Sequence, residues 1–272
     1  MPVAWSEAWI PTKKGGKLYA HLHYPEGRKD VPAVVFVPGG ASCGADYDKS
    51  GAEIQPKDLA ALGFVVVHYD PSGRGSTGGE ENYWGTEHQD ELVDVLRWTH
   101  ARPEVQKNNV VILSFSIGIT IAAGALARYA DELPFVSWLF DWEGPSSRFN
   151  ITKNDTHPPL KSFPTSNDAF WQEREPCRFI NKITCGYFRY QALQDHVQGN
   201  KKEHALELVN LATQGTAAWT QLNHTPRNRL HTVPVADQCW VQSKKTDRLQ
   251  LLRSFLSIAE GEAHYLRQKK NE

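Results

Sequence analysis

Short apolar runs that alternate with helical patterns predict a doubly wound, mostly parallel α/β sheet with helices on both faces. Three runs carry this reading. Residues 34–37 stop at Pro38-Gly39-Gly40, residues 64–67 stop just before Asp70-Pro71, and residues 110–113 run into Ser114. Continuous β-branched runs of this length suit strands buried on both faces of a parallel sheet. Helical segments between such strands imply crossover units, which place helices above and below the sheet.

The elements follow in order. After the second run, Thr86 is the expected N-cap of a helix, with Gln89 completing a capping box. Leu92, Val95, Leu96 and Thr99 mark its inward face, and Arg102-Pro103 ends it. Residues 119–127 form a helix apolar nearly all round. Residues 135–140 predict a strand ending at Asp141, and residues 185–190 another ending before Asp195. Asn200 and Glu203 predict the start of a helix that Gly215 stops. Residues 217–222 predict a short strand before His224. A last helix has Leu249, Leu252, Phe255, Leu256 and Ala259 on one face. Prolines 145, 158, 159, 164 and 176 block long regular elements between Asp141 and Cys185. Their neighbours Phe149, Phe163, Phe170 and Trp171 need cover, so residues 142–184 are expected to form a lid-like insertion. Residues 1–272 thus form a single domain, with 227–272 as a C-terminal extension.

Composition narrows the function. The chain has 272 residues, 40% of them apolar and 22% charged, which is ordinary globular usage. Thirty basic residues against 31 acidic ones leave no field favouring nucleic acid or anionic lipid. The N-terminal residues lack a basic region followed by an apolar run, so no secretory signal is expected. No run of eighteen apolar residues occurs and the mean hydropathy is −0.51, so no membrane partner is expected either. Cys43, Cys177, Cys185 and Cys239 form no C-x-x-C pair, which suits reduced thiols in a cytoplasmic protein. The oligomeric state is left open, a homodimer included.

Residues 73–78, Gly-Arg-Gly-Ser-Thr-Gly, match G-x-G-x-x-G, but the context is wrong for a dinucleotide. The next helix waits until about residue 87, and Glu80-Glu81 would repel a phosphate. No cofactor is expected. Ser114-Phe115-Ser116-Ile117-Gly118 is more informative, because it joins a buried strand to a buried helix in one tight turn. That is the setting of a nucleophile elbow, with Ser116 at its tip and Ser114 standing where glycine is usual.

A serine needs a base, and the base an orienting acid. In a sheet of this kind the chain order is Ser, acid, His. Asp195, past the strand ending near residue 190, is the expected acid and His224 the expected base. Asp141 is the alternative acid; Glu143 follows the same strand. His231 and His196 compete with His224, but His196 adjoins the acid, so its side chain is expected to point elsewhere. Gly40 and Ile117 are the expected oxyanion-hole residues, supplying backbone N–H groups, and Cys43 is a bystander. His21 and His23 share one strand face but lack a third ligand nearby, so no metal is expected.

These residues resemble the α/β-hydrolase superfamily, more narrowly its dienelactone hydrolase and prolyl oligopeptidase-like serine esterase branch. The resemblance covers roughly residues 17–226. Pro38-Gly39-Gly40 resembles the family's H-G-G loop, with Pro38 in place of His. Residues 70–79 resemble its D-x-R-G-x-G-x-S-x-G turn, with Ser72 in place of Arg. Asp195-His196-Val197 resembles its D-x-x-V turn with one residue fewer, and residues 171–176 the stretch before the acid-bearing strand. Leu222-Asn223-His224-Thr225 departs from the family's G-x-x-H-G flavour. The resemblance implies a serine hydrolase that cleaves a small-molecule carboxylic ester through an acyl-enzyme. A peptidase, amidase or thioesterase with the same triad, or a non-catalytic binding module, are the alternatives. The aromatics of the insertion imply an apolar acyl or alcohol pocket.

Overall fold

The computed structural model describes residues 1–50, 52, 54–151, 163–192, 195–213 and 239–242. An eight-stranded sheet forms its centre: β1 (Val3–Pro11), β2 (Lys17–Pro25), β3 (Val31–Val37), β4 (Val65–Tyr69), β5 (Val105–Phe115), β6 (Val136–Trp142), β7 (Gly186–Ala192) and β8 (Cys239–Gln242). Their order is β1-β2-β4-β3-β5-β6-β7-β8. Every pairing from β4 through β8 is parallel, and β2 is antiparallel to both neighbours. The doubly wound, mostly parallel sheet expected from the sequence is therefore present.

The continuous apolar strands are buried on both faces for the expected reason. Val35, Val37, Val67 and Ile112 point into one core, together with Leu92 and Leu96 of α2 (Thr86–Ala101) and Ile119 of α3 (Gly118–Arg128). Val34, Phe36, Val66 and Leu113, one residue out of step, point into a second core with Leu59 of α1 (Pro56–Ala61). The two-residue period of a strand thus feeds two helical layers. The last described helix is α4 (Glu203–Thr213), whose Leu208 and Val209 join the first core.

Local details depart from expectation in two places. Helix α2 is capped by Gly85 rather than Thr86, and the Asn82 side chain accepts from the Glu87 N–H at 3.2 Å. Gln89 does not close a capping box. Its amide donates 2.8 Å to the Glu173 carbonyl, tying α2 to the Pro-rich segment. That segment is the second departure. Trp171 is fully buried in the first core, Phe163 stacks on Phe170 at 3.8 Å, and Arg174 donates to the carbonyls of Asn82 and Tyr83. Residues 163–184 therefore brace α2 and α3.

Residues 214–238 and 243–272 lie outside the described residues, apart from the backbone of β8 between them. The expected strand 217–222, the last helix, His224 and His231 fall there. No helix among the described residues is long and apolar enough to cross a membrane.

Candidate active site

The turn between β5 and α3 has the strain of an elbow. Ser116 sits at φ 49°, a left-handed backbone that a side chain-bearing residue adopts only when its surroundings impose it. The imposing contacts are local. Ser116 N–H donates 2.7 Å to the Trp142 carbonyl, and Ile117 opens α3 directly behind it. Gly118 must lack a side chain, because a Cβ there would lie 2.8 Å from the Val37 carbonyl and 2.9 Å from that of Pro38. Ser114 fills the position where glycine is usual; its hydroxyl is buried and donates 3.1 Å to the Phe140 carbonyl. A small side chain with a local acceptor is tolerated there.

Ser116 opens into a pocket of about 470 Å³. Its apolar wall comes from Tyr47, Trp84, Phe115, Ile117 and Ile151. Phe163, Phe170 and Trp171 do not line it, and Phe149 is 68% exposed. Within the expected insertion the apolar lining comes from Pro145 and Ile151 rather than from these aromatics, and the rest of the wall from the loops after β3 and β4 and the elbow itself. Gly39 and Gly40 also line the pocket. The Gly39 carbonyl accepts from Ser42 N–H at 3.1 Å, which orients the planar peptide carrying the Gly40 N–H. The Gly40 carbonyl accepts from Arg74 Nη1 and from Trp84 Nε1, each at 2.9 Å.

Arg74 belongs to the Gly-rich loop, whose glycines serve this bracing. Arg74 also makes a two-pronged pair with Glu81, at 2.7 and 2.9 Å. At Gly75 (φ 51°) a Cβ would collide with the Asp70 carboxylate. That carboxylate accepts from the N–H groups of Ser76, at 2.8 Å, and Ala45, at 3.3 Å. The loop is filled by its own side chains. Burial, with Asp70 and Asp46 adding negative charge, pushes the Cys43 thiol up to about 11, so it offers no competing thiolate.

An imidazole does meet Ser116, and it is His196. Its Nε2 lies 3.1 Å from Ser116 Oγ, and its Nδ1 lies 3.0 Å from Glu143 Oε2. The expectation that His196 points elsewhere therefore fails: the turn after β7 aims it across the sheet end. Glu143 is buried just past β6, at φ 55°. Its hydrogen bond raises the His196 pKa above the ordinary imidazole value, against the opposing effect of burial. Asp195 is also buried at this end, with its Oδ1 3.6 Å from His196 Nδ1 and its Oδ2 3.3 Å from His204 Nε2. Burial would raise its pKa. His204, the N–H groups of Gln198 and Val197, and the Gln191 amide outweigh that and hold the carboxyl well below the ordinary range.

Asp141 is placed differently. Its carboxylate is paired with Arg189 at 2.6 Å, accepts from the Tyr187 hydroxyl at 2.6 Å and from Gly144 N–H at 2.9 Å. It is 1% exposed and does not line the pocket. The structure thus brings Ser116, Ile117, Gly40, Asp195, His196 and Glu143 together, sets Asp141 aside as a buried brace, and does not describe His224. Sequence reasoning weighed Glu143 and His196 only as rivals. The signal available for both was position, one just past the end of β6 and the other just past the end of β7.

Comparison with known proteins agrees with this topology. The family model for X-Pro dipeptidyl-peptidases (S15 family) matches residues 14–143. No curated protein matches the chain. Among solved structures, Porphyromonas gingivalis dipeptidyl peptidase 4 superposes with a TM-score of 0.69 at 13% identity over 94% of this chain. An acylaminoacyl peptidase from Pyrococcus horikoshii gives 0.66 at 12% identity over 96%. The chain spans 35% and 42% of the lengths of those two peptidases. An esterase from Pyrococcus furiosus gives 0.63 at 15% identity, covering 94% of this chain and 91% of the esterase. The chain has the α/β-hydrolase fold, and the resemblance read from its sequence holds at that level.

Proposed function

We propose that this α/β-hydrolase-fold chain is a serine hydrolase that cleaves carboxylic esters through an acyl-enzyme on Ser116. The observation that carries the reading is the 3.1 Å contact between the Ser116 hydroxyl and His196 Nε2 at the tip of a strained elbow. Ser116 Oγ attacks the ester carbonyl carbon while His196 takes its proton. Glu143 on Nδ1 holds the ring and offsets the charge that forms on it. The N–H groups of Gly40 and Ile117, with the positive end of α3, face the oxygen that becomes anionic. The alkoxide leaves with the proton from His196, and a water activated by the same imidazole releases the acid. The apolar wall favours an apolar acyl or alcohol group. Peptide, amide and thioester substrates share this chemistry, and an ester panel run beside a peptidyl-amide panel separates them.

A second reading keeps Ser116 and takes Asp195 and His224 as acid and base. It is favoured by Asp195, which lines the same pocket and whose carboxyl pKa is held well below the ordinary range. Reaction with a fluorophosphonate tests what both readings share. An adduct mapped to Ser116 by mass spectrometry is expected; an adduct elsewhere, or none, leaves a non-catalytic binding module. Single variants then divide the two. His196→Ala is expected to cut kcat for p-nitrophenyl butyrate by about 10³-fold or more, with His224→Ala within tenfold of the parent. The reverse pattern selects the second reading.

The pH profile gives a further expectation. His196 must be neutral to accept the proton, and Glu143 raises its pKa. The rise of kcat/KM with pH should therefore have its inflection above about 6.5, the ordinary imidazole value. Glu143→Gln removes the anion and should move that inflection down while lowering the plateau. An inflection unmoved in Glu143→Gln would separate Glu143 from the base.

A further inference from the structure

A second cluster of imidazoles lies on the sheet face away from α2 and α3, at the β2–β4 pairing. The antiparallel register sets His21 directly opposite His68, and His23 lies two residues along on the same face. Asp48 comes down on them from the 3₁₀ turn Gly44–Asp48. His68 is 1% exposed, and its Nδ1 lies 2.9 Å from the Gly44 carbonyl, so the ring proton belongs on Nδ1. Its Nε2 then presents a lone pair toward Asp48 Oδ2 at 3.5 Å, and among the described residues that buried nitrogen has no hydrogen-bond partner. Two acceptors facing each other at that distance call for a cation between them.

We propose that His21, His68 and Asp48 form a divalent-metal site, matched by its donors to zinc, that ties the turn carrying Tyr47 to the sheet. Two imidazoles and one carboxylate are a common zinc donor set, completed by water. Ligands about 2.0–2.1 Å from a tetrahedral ion lie about 3.3 Å apart, close to the His68–Asp48 separation. His21 Nδ1 lies 2.6 Å from Asp48 Oδ2, so an ion would replace that contact and open it by about 0.7 Å.

The surrounding groups orient this set as outer partners of metal ligands do. His21 Nε2 lies 2.9 Å from the Tyr19 hydroxyl, a partner for the ring proton when Nδ1 turns its lone pair to an ion. His23 Nε2 holds the other Asp48 oxygen at 3.0 Å and acts as a positioning residue. The Asp48 side chain is 31% exposed, which gives an ion a way in. Of the His-x-His pair only His21 would ligate, and the two further ligands, His68 and Asp48, come from two other parts of the chain. Tyr47, next to Asp48, lines the pocket at Ser116, so the ion would brace one wall of it.

The test uses the full chain stripped with a chelator and titrated with zinc chloride by calorimetry. About one zinc per chain is expected, with a rise in Tm on binding. His21→Asn and Asp48→Asn should each weaken binding by about 100-fold or more, and His23→Gln by about 10–100-fold. Cobalt substituted for zinc should show the intense visible bands of a four-coordinate ion. Stripped variants that melt with the stripped parent establish that they fold. No stoichiometric binding by the parent would overturn the proposal. Binding unchanged in both His21→Asn and Asp48→Asn would overturn it as well, by assigning the ion to others of the eleven histidines.

Discussion

Replacing Ser116 by alanine is expected to lower kcat for p-nitrophenyl butyrate by about 10⁴-fold or more and to abolish fluorophosphonate labelling. The size follows from what is lost. Without Oγ no acyl-enzyme forms, and only the oriented N–H groups and the pocket remain to assist water. Stability should change little, within about 0.5 kcal/mol, because Ser116 is not part of the packed core and alanine must adopt the same left-handed backbone. A variant that melts with the parent yet is inactive separates chemistry from folding. A variant that keeps the parental rate would remove Ser116 from the reaction.

The second large effect is on stability. Arg189 is fully buried and pairs with Asp141 at 2.6 Å, while the Gly144 carbonyl accepts from the same guanidinium nitrogen at 2.7 Å. Arg189→Ala leaves the Asp141 carboxylate buried without its counter-charge, which typically costs about 3–5 kcal/mol. Urea unfolding should report a loss of that size. Asp141→Asn should also destabilise, but its kcat per folded molecule should stay within tenfold of the parent, since among the described residues Asp141 is held by Arg189, Tyr187 and the Gly144 N–H. A drop in kcat on the scale of Ser116→Ala, at unchanged stability, would return Asp141 to the role of triad acid.

The elements legible in the sequence are those whose information is local. The runs at 34–37, 64–67 and 110–113 became β3, β4 and β5 because β-branched residues without alternation fit a strand covered on both sides. Ser114 to Gly118 marked the elbow because its chemistry is packed into five consecutive residues. The glycines at 73–78 could be set aside as a cofactor loop from their distance to the next helix. The structure adds what fills the loop instead, the Asp70 carboxylate and the Arg74 guanidinium.

The partners of Ser116 were not legible in the same way. Asp141, Glu143 and Asp195 all follow strand ends, and adjacency in sequence argued against His196. What decides among them is where each side chain points once β6 and β7 pair in register, with Asp141 opposite Arg189. Asp141 is then consumed by a buried arginine, while Glu143, two residues on and at a positive φ, turns toward His196. The source of the pocket's apolar wall was hidden for a similar reason. Aromatics at 163–171 and aromatics at 47, 84 and 115 look alike in composition, and only packing assigns the first group to bracing and the second to the pocket.

The sequence by itself determined the alternating architecture, the absence of a strong net charge, and Ser116 as the residue to examine. These rest on hydrophobic periodicity and on one contiguous motif, both properties of neighbouring residues. The tertiary structure decided which imidazole meets that serine, which carboxylate is spent on a buried ion pair, and that His21, His68 and Asp48 share one small volume. Those relations join residues 20 to 80 positions apart, and only the pairing of strands and the turn laid across them bring such residues within a few ångströms.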